Sequence, residues 1–145
     1  MVNKTPIGIF DSGVGGLSIT HSIKRELPSE NIIYVADLSF SPYGNKSKEM
    51  IENRSEYIVD LLFKQGCKAI VVACNTATVN SIDKLRKKFN IPIVGVEPGI
   101  KPAALHSKTG VIAVLATEQT ISSSSFQTLK SRFSHQVKIE VQACP

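Results

Sequence analysis

Lys68-Ala69-Ile70-Val71-Val72-Ala73-Cys74-Asn75-Thr76-Ala77 decides the fold. Residues 69 to 73 are small or branched apolar residues without polar alternation, which predicts a strand covered on both faces, as in a parallel sheet. Asn75-Thr76 reads as the capping pair of a helix whose apolar positions follow at Val79, Ile82, Leu85 and Phe89. Cys74 then falls at the carboxyl end of a strand and beside a helix N-terminus, whose partial positive charge favours thiolate over thiol. The alternative is a buried small hydrophobe, the commonest fate of a free cysteine. What the other strand ends carry separates the two readings.

The same alternation of strand and helix extends both ways. Upstream, Thr5 to Phe10 predicts a strand that runs from Met1-Val2-Asn3-Lys4 without the apolar core of a signal peptide. It leads into the glycine-rich turn Asp11-Ser12-Gly13-Val14-Gly15-Gly16 and a helix with Leu17, Ile23 and Leu27 on one side. This turn is neither a dinucleotide fingerprint, since Ser18 holds the third glycine position, nor a P-loop, and Asp11 would repel a phosphate. Asn31 to Ala36 predicts the second strand, ending at Asp37. Ser41-Pro42-Tyr43-Gly44 marks a loop in which Tyr43 is either a surface turn residue or a lid over a pocket. A helix follows from about Ser47 to Gln65.

Downstream, Ile91 to Val96, Gly110 to Ala116 and Val137 to Val141 predict three more strands. Prolines 98 and 102 favour a turn and a helix start between the first two, and a polar helix through Phe126, Leu129 and Phe133 joins the last two. Such alternation implies an α/β fold, a parallel sheet with right-handed crossovers and helices on both faces.

At 145 residues the chain has the size of one ordinary domain. Its apolar runs are far shorter than the ~18 residues of a membrane span, so no membrane partner is expected and the cytoplasm is the expected location. A net charge of +5 invites a nucleic-acid reading. The densest basic group, Lys84, Arg86, Lys87 and Lys88, has no interleaved aromatic residues, so a solvated helix face is expected and no nucleic acid. Cys67, Cys74 and Cys144 form neither a CxxC pair nor a zinc pattern, so no disulfide and no metal is expected. His21, His106 and His135 lack any motif context.

Ligands of open parallel sheets bind beyond the carboxyl ends of the strands. That rim here collects Asp11, Ser12, Asp37, Pro42-Tyr43-Gly44, Cys74, Asn75, Thr76, Glu97 and Thr117. A thiol, a carboxylate and several neutral donors suit proton transfer or nucleophilic attack on a small carboxylic acid.

Phe10-Asp11-Ser12-Gly13-Val14-Gly15-Gly16-Leu17, Tyr34-Val35-Ala36-Asp37 with Pro42-Tyr43-Gly44, Ala73-Cys74-Asn75-Thr76-Ala77, and Gly95-Val96-Glu97-Pro98 with Lys101-Pro102-Ala103 together resemble the glutamate racemases of the aspartate/glutamate racemase family. The resemblance implies interconversion of L- and D-glutamate without a cofactor, for bacterial peptidoglycan, by two cysteines facing each other across the substrate. It makes Cys74 the first of these and Asp11 the carboxylate near it. Asp11, Ser12, Pro42, Tyr43, Gly44, Asn75 and Thr76 then bind substrate. Thr117 and Thr120 match a Thr-x-x-Thr stretch that opens a second domain and contacts substrate in some members. It divides the chain into 1–97, a first α/β domain lacking its C-terminal return, and 98–145, the beginning of a second similar one.

Members of the family are nearly twice as long, forming homodimers in some cases, and carry the second cysteine in a Cys-Thr-His motif absent here. Cys144 matches a structural Ala-Cys-Pro stretch and cannot replace it. The chain is therefore expected to be truncated and inactive alone. The competing readings are an aspartate racemase-type enzyme and a catalytically dead amino-acid-binding fragment.

Overall fold

The computed structural model describes residues 5–144. The expected leaderless start at residues 1–4, and Pro145, lie outside the described residues. Strands β1 (Ile7–Asp11), β2 (Ile32–Ala36), β3 (Ala69–Val72) and β4 (Ile93–Gly95) form one parallel sheet in the order β2-β1-β3-β4. Asp11 is level with Ala36, and Phe10 with Val72, so the strands end on one rim. Strands β5 (Val111–Thr117) and β6 (Lys138–Cys144) make a second, two-stranded parallel sheet.

Both faces of the first sheet carry helices. Ile7, Ile9 and Val71 pack with Ile19 and Ile23 of α1 (Gly16–Glu26). Phe10, Ile70 and Val72 point the other way, onto Ile51, Ile58 and Leu62 of α2 (Lys48–Lys64) and Ala77, Ile82 and Leu85 of α3 (Asn75–Lys88). This splitting of each strand between two apolar layers is why residues 69 to 73 show no polar alternation. Leu17 and Leu27, expected on the packed side of α1, are exposed. Leu17 sits about 200° around the helix from Ile19, and Leu27 is the C-cap, so neither can join the Ile19/Ile23 stripe.

The second sheet packs Ile112, Val114, Ile139 and Val141 against α4 (Ile100–His106) and α6 (Ser124–Phe133). The single polar helix expected after Thr117 is two: α5 (Glu118–Ile121) and α6. Each has its own hydroxyl cap, Thr117 accepting from the Thr120 N–H and Ser123 from the Phe126 N–H. The basic group on α3 is exposed, as expected, and is also paired. Lys84 bridges to Glu52 and Glu56 of α2 at 3.4 and 3.5 Å, Lys88 also pairs with Glu56, and Arg86 Nε donates to the Ile93 carbonyl. Among the described residues no helix is long and apolar enough to cross a membrane.

Candidate active site

Asp11 closes β1 with its carboxylate turned back on the glycine turn, where Oδ2 accepts the Gly16 N–H at 2.9 Å. The anion-attracting start of α1 is thus filled by the chain's own carboxylate. Position 16 admits no side chain, because a Cβ there would lie 2.8 Å from Asp11 Cβ and 3.0 Å from Ala73 Cβ. The Tyr34 hydroxyl donates to the Gly13 carbonyl at 3.1 Å and steadies the turn. Burial, and then the charge of Asp11, push the pKa of Tyr34 up, so it stays a donor.

Cys74, buried at the end of β3, is itself the N-cap of α3. Its Sγ accepts the Ala77 N–H at 3.4 Å and lies 3.4 Å from Ser12 Oγ. This corrects the expected Asn75-Thr76 cap: Cys74 still has extended dihedrals while Asn75 is already helical, so the orphan Ala77 N–H of the first turn meets the sulfur. Asn75 is exposed and Thr76 buried. Thr76, Thr117 and Thr120 bring their Oγ1 atoms together in a triangle with sides of 3.1, 3.1 and 3.0 Å, which joins the start of α3 to the cap of α5.

Between these elements lies a cleft of about 460 Å³. Of the expected site residues, Asp11, Cys74, Asn75, Thr76, Thr117 and Thr120 line it. Ser12 reaches it through its contact with Cys74. A second cavity between α3 and α6, about 350 Å³, is not lined by Cys74, Thr76, Thr117 or Thr120.

Pro42, Tyr43 and Gly44 are not among the lining residues. Pro42 is exposed, and Tyr43 is neither a surface turn residue nor a lid, being 2% exposed in a 3₁₀ turn, Tyr43–Asn45. Its hydroxyl donates to Asp37 Oδ2 at 2.6 Å, and Arg54 grips the same carboxylate through Nη2 at 2.8 Å and Nε at 3.1 Å. Burial draws the Asp37 pKa up, but the hydrogen bonds from Arg54 and Tyr43 and the Arg54 charge outweigh it and leave it lowered. Burial and then the bond to Asp37 push the Tyr43 pKa far up. The Arg54 guanidinium also lies over the rings of Phe40 at 3.9 Å and Tyr57 at 4.9 Å.

This anchor holds Gly44 against the second sheet. A Cβ at Gly44 would lie 2.5 Å from Thr117 Cγ2 and 2.7 Å from Thr117 Cβ. Gly44→Ala should therefore lower stability by about 1–3 kcal/mol in urea unfolding. Adding Thr117→Ser, which deletes the clashing Cγ2 but leaves Cβ at 2.7 Å, should recover part of the loss. Full destabilisation in the double variant would count against the contact.

Sequence reasoning missed Arg54 and Phe40. An arginine inside the apolar stripe of a helix between Met50 and Tyr57 was the available signal, but its partner is 17 residues away. Val96, Leu115 and Ala116 also line the cleft and carry no chemical signature. The other cysteines stay out of it: Cys67 is buried in the core, where burial pushes its thiol pKa up. Cys144, level with Thr117, turns its Sγ to the Gln142 carbonyl.

A thiol and a carboxylate at the ends of adjacent parallel strands, facing a hydroxyl-lined cleft, mark an α/β protein of the strand-end, small-ligand class. More narrowly, the chain belongs to the Asp/Glu/hydantoin racemase family, whose family model matches residues 7–144. The glutamate racemase of Methylococcus capsulatus is 51% identical over 143 residues, which make up 99% of this chain and 53% of that protein. That of Herpetosiphon aurantiacus is 51% identical over 97% of this chain and 55% of its own length. Among solved structures, Escherichia coli glutamate racemase, in complex with L-glutamate and the activator UDP-MurNAc-Ala, superposes with a TM-score of 0.88 at 41% identity. The overlap covers 96% of this chain and 53% of that one. Glutamate racemase from Aquifex pyrophilus gives a TM-score of 0.87 at 37% identity, covering 97% and 56%. The chain spans about half the length of the curated relatives it matches.

Proposed function

We propose that this chain forms one wall of a glutamate racemase active site, with Cys74 as the acid/base on one face of the amino acid. The observation that carries this is the position of Cys74 Sγ, in the cleft, accepting the Ala77 N–H at 3.4 Å and lying 3.4 Å from Ser12 Oγ. As thiolate it takes the hydrogen on Cα, leaving the electron pair on the substrate, and as thiol it returns a proton on the same face. Inversion needs a donor on the other face. That group, in this reading, belongs to a segment equivalent to the relatives' remaining length, so the 145 residues alone do not racemise.

Asp11, fixed by the Gly16 N–H, supplies the carboxylate beside the substrate ammonium, and Ser12, Asn75 and Thr76 supply polar groups for its carboxylates. Thr117 and Thr120 act from the second sheet. The Pro42-Tyr43-Gly44 loop contributes through its backbone, since the Tyr43 hydroxyl is committed to Asp37. The carbanion is met by these hydrogen bonds with no cofactor or metal. Residues 1–97 and 98–145 are the first domain and the beginning of the second. The setting is cytoplasmic supply of D-glutamate for peptidoglycan, and the complete enzyme is a homodimer.

Alkylation of the folded chain by iodoacetamide, with peptide mapping, tests the placement. Saturating glutamate should slow labelling of Cys74 at least about tenfold and leave the more exposed Cys144 unaffected, while Cys67 stays unlabelled. Protection of Cys74 by aspartate in place of glutamate would move the assignment to an aspartate racemase-type site. No protection by either would overturn the proposal.

A further inference from the structure

Asn80 is a carboxamide among the buried residues of α3, one turn beyond Thr76, and is only 9% exposed. Asparagine is a poor choice inside a helix, where its side chain competes for backbone groups, and its buried neighbours Val79, Ile82 and Leu85 are apolar. Its Nδ2 donates to two carbonyls, that of Thr76 in its own helix at 2.8 Å and that of Gln119 in α5 at 3.3 Å. Both partners only accept, so the amide nitrogen is the atom that must face them. Asn80 does not line the cleft of Cys74; it borders another polar cavity, of about 360 Å³, together with Gln119, Ser122 and Ser123. Packing leaves this side of α5 open, and a hydrogen bond sets its distance from α3.

Gln119 lies between Thr117 and Thr120, the two threonines that line the cleft from this turn. Among the described residues, the hydrogen bonds from α3 to the turn are those of Thr76 to the two threonines and that of Asn80 to Gln119. The first two cannot persist unchanged in a complex. Each threonine hydroxyl has one proton, and closing the Thr76-Thr117-Thr120 triangle uses all three. A proton turned to a substrate carboxylate opens one side of the triangle, and two of the three sides are what join α3 to the turn. The Asn80 bond lies outside the cleft and is untouched by that exchange.

We propose that Asn80 is a positioning residue for the glutamate site: it keeps the 117–120 turn at its spacing from Thr76 while the threonine hydroxyls leave one another for the substrate. The inference rests on the proposed glutamate site. Without the carboxamide the turn shifts when the triangle opens, and glutamate binds more weakly. The thiol keeps its surroundings, because Cys74 Sγ is met by the Ala77 N–H and Ser12 and not by α5.

Iodoacetamide labelling of Cys74 across a glutamate series, joined to amide hydrogen exchange, tests it. Asn80→Thr can keep a bond to the Thr76 carbonyl, as Ser81 makes to that of Ala77 at 2.5 Å, but is too short to reach Gln119. Asn80→Asp keeps the shape and has no N–H to donate. Both should raise the half-protecting glutamate concentration about tenfold, as for one lost hydrogen bond, and leave labelling without glutamate within about twofold. With glutamate at saturation, the hydrogen-bonded amides of Thr120, Ser122 and Ser123 should exchange about tenfold faster in both than in the unaltered chain. Ser81→Ala removes a buried hydrogen bond from the same helix but none to α5, so it should lower the urea midpoint and leave the half-protecting concentration unchanged. Far-ultraviolet circular dichroism checks that each variant folds. A half-protecting concentration that Asn80→Thr leaves unchanged, or that Ser81→Ala raises equally, would overturn the proposal with the glutamate site intact. No protection of the unaltered chain by glutamate would overturn the glutamate site itself, and this role of Asn80 with it.

Discussion

Changing Cys74 to serine should lower glutamate racemisation by about 10²- to 10⁴-fold in a protein fused to the second half of a close relative, the range for loss of a positioned acid/base group. A serine hydroxyl fits the same cap, since Oγ can accept the Ala77 N–H, so circular dichroism and unfolding should change little. What is lost is the ability to carry a proton near neutral pH. In D₂O the variant should also cease to exchange the Cα hydrogen of the enantiomer that presents it to this wall. The unaltered chain without the added half should show no inversion of either enantiomer by chromatography, because Cys67 is in the core and Cys144 turns away from the cleft. Inversion by the chain alone, above the serine control, would sink the one-wall account. So would a fused serine variant that racemises at the unaltered rate.

Arg54→Ala should destabilise the fold by about 3 kcal/mol at neutral pH, at the lower end of the ~3–5 kcal/mol for breaking a buried pair, because Arg54 keeps some water contact. Asp37 would be left buried and charged with only the Tyr43 hydroxyl. The pH dependence gives the sign. In the unaltered chain the folded pKa of Asp37 is lowered, so its contribution is fully present above the unfolded value near 4 and is lost as pH falls through the folded one. In the variant the carboxyl has lost its cation, and protonation relieves the unpaired charge. The gap between the two proteins should therefore shrink below about pH 4 in urea unfolding. Arg54→Lys should recover part of the stability, since an ammonium keeps the charge but not the two-pronged grip or the stacking on Phe40 and Tyr57. A pH-independent gap would show that packing, not the ion pair, accounts for the loss.

Tyr43 shows how legibility divides within this chain. Its loop was legible, because Ser41-Pro42-Tyr43-Gly44 is turn chemistry, but its destination was not. A phenol beside proline and glycine can face water or core, and only Asp37 and Arg54, brought to it by β2 and α2, decide for the core. The capping of α3 is a similar case. Asn and Thr are better cap formers than Cys in general, yet the strand leaves the sheet one residue earlier than an Asn75 cap requires.

The sequence by itself determined the parallel α/β architecture, the six strands in their succession along the chain, and the segments just after them that hold Asp11, Cys74, Thr76 and Thr117, whereas their order β2-β1-β3-β4 and their division into two sheets came from the structure. Hydrophobic periodicity and turn residues are local, and level parallel strands turn position along the chain into position on a rim. Only the tertiary structure decided which rim residues meet. The Thr76-Thr117-Thr120 triangle spans 44 residues of chain and the Ser12-Cys74 contact 62. The triangle follows from how the two sheets are set against each other and the Ser12-Cys74 contact from the pairing of β1 with β3, and no short window of sequence encodes either.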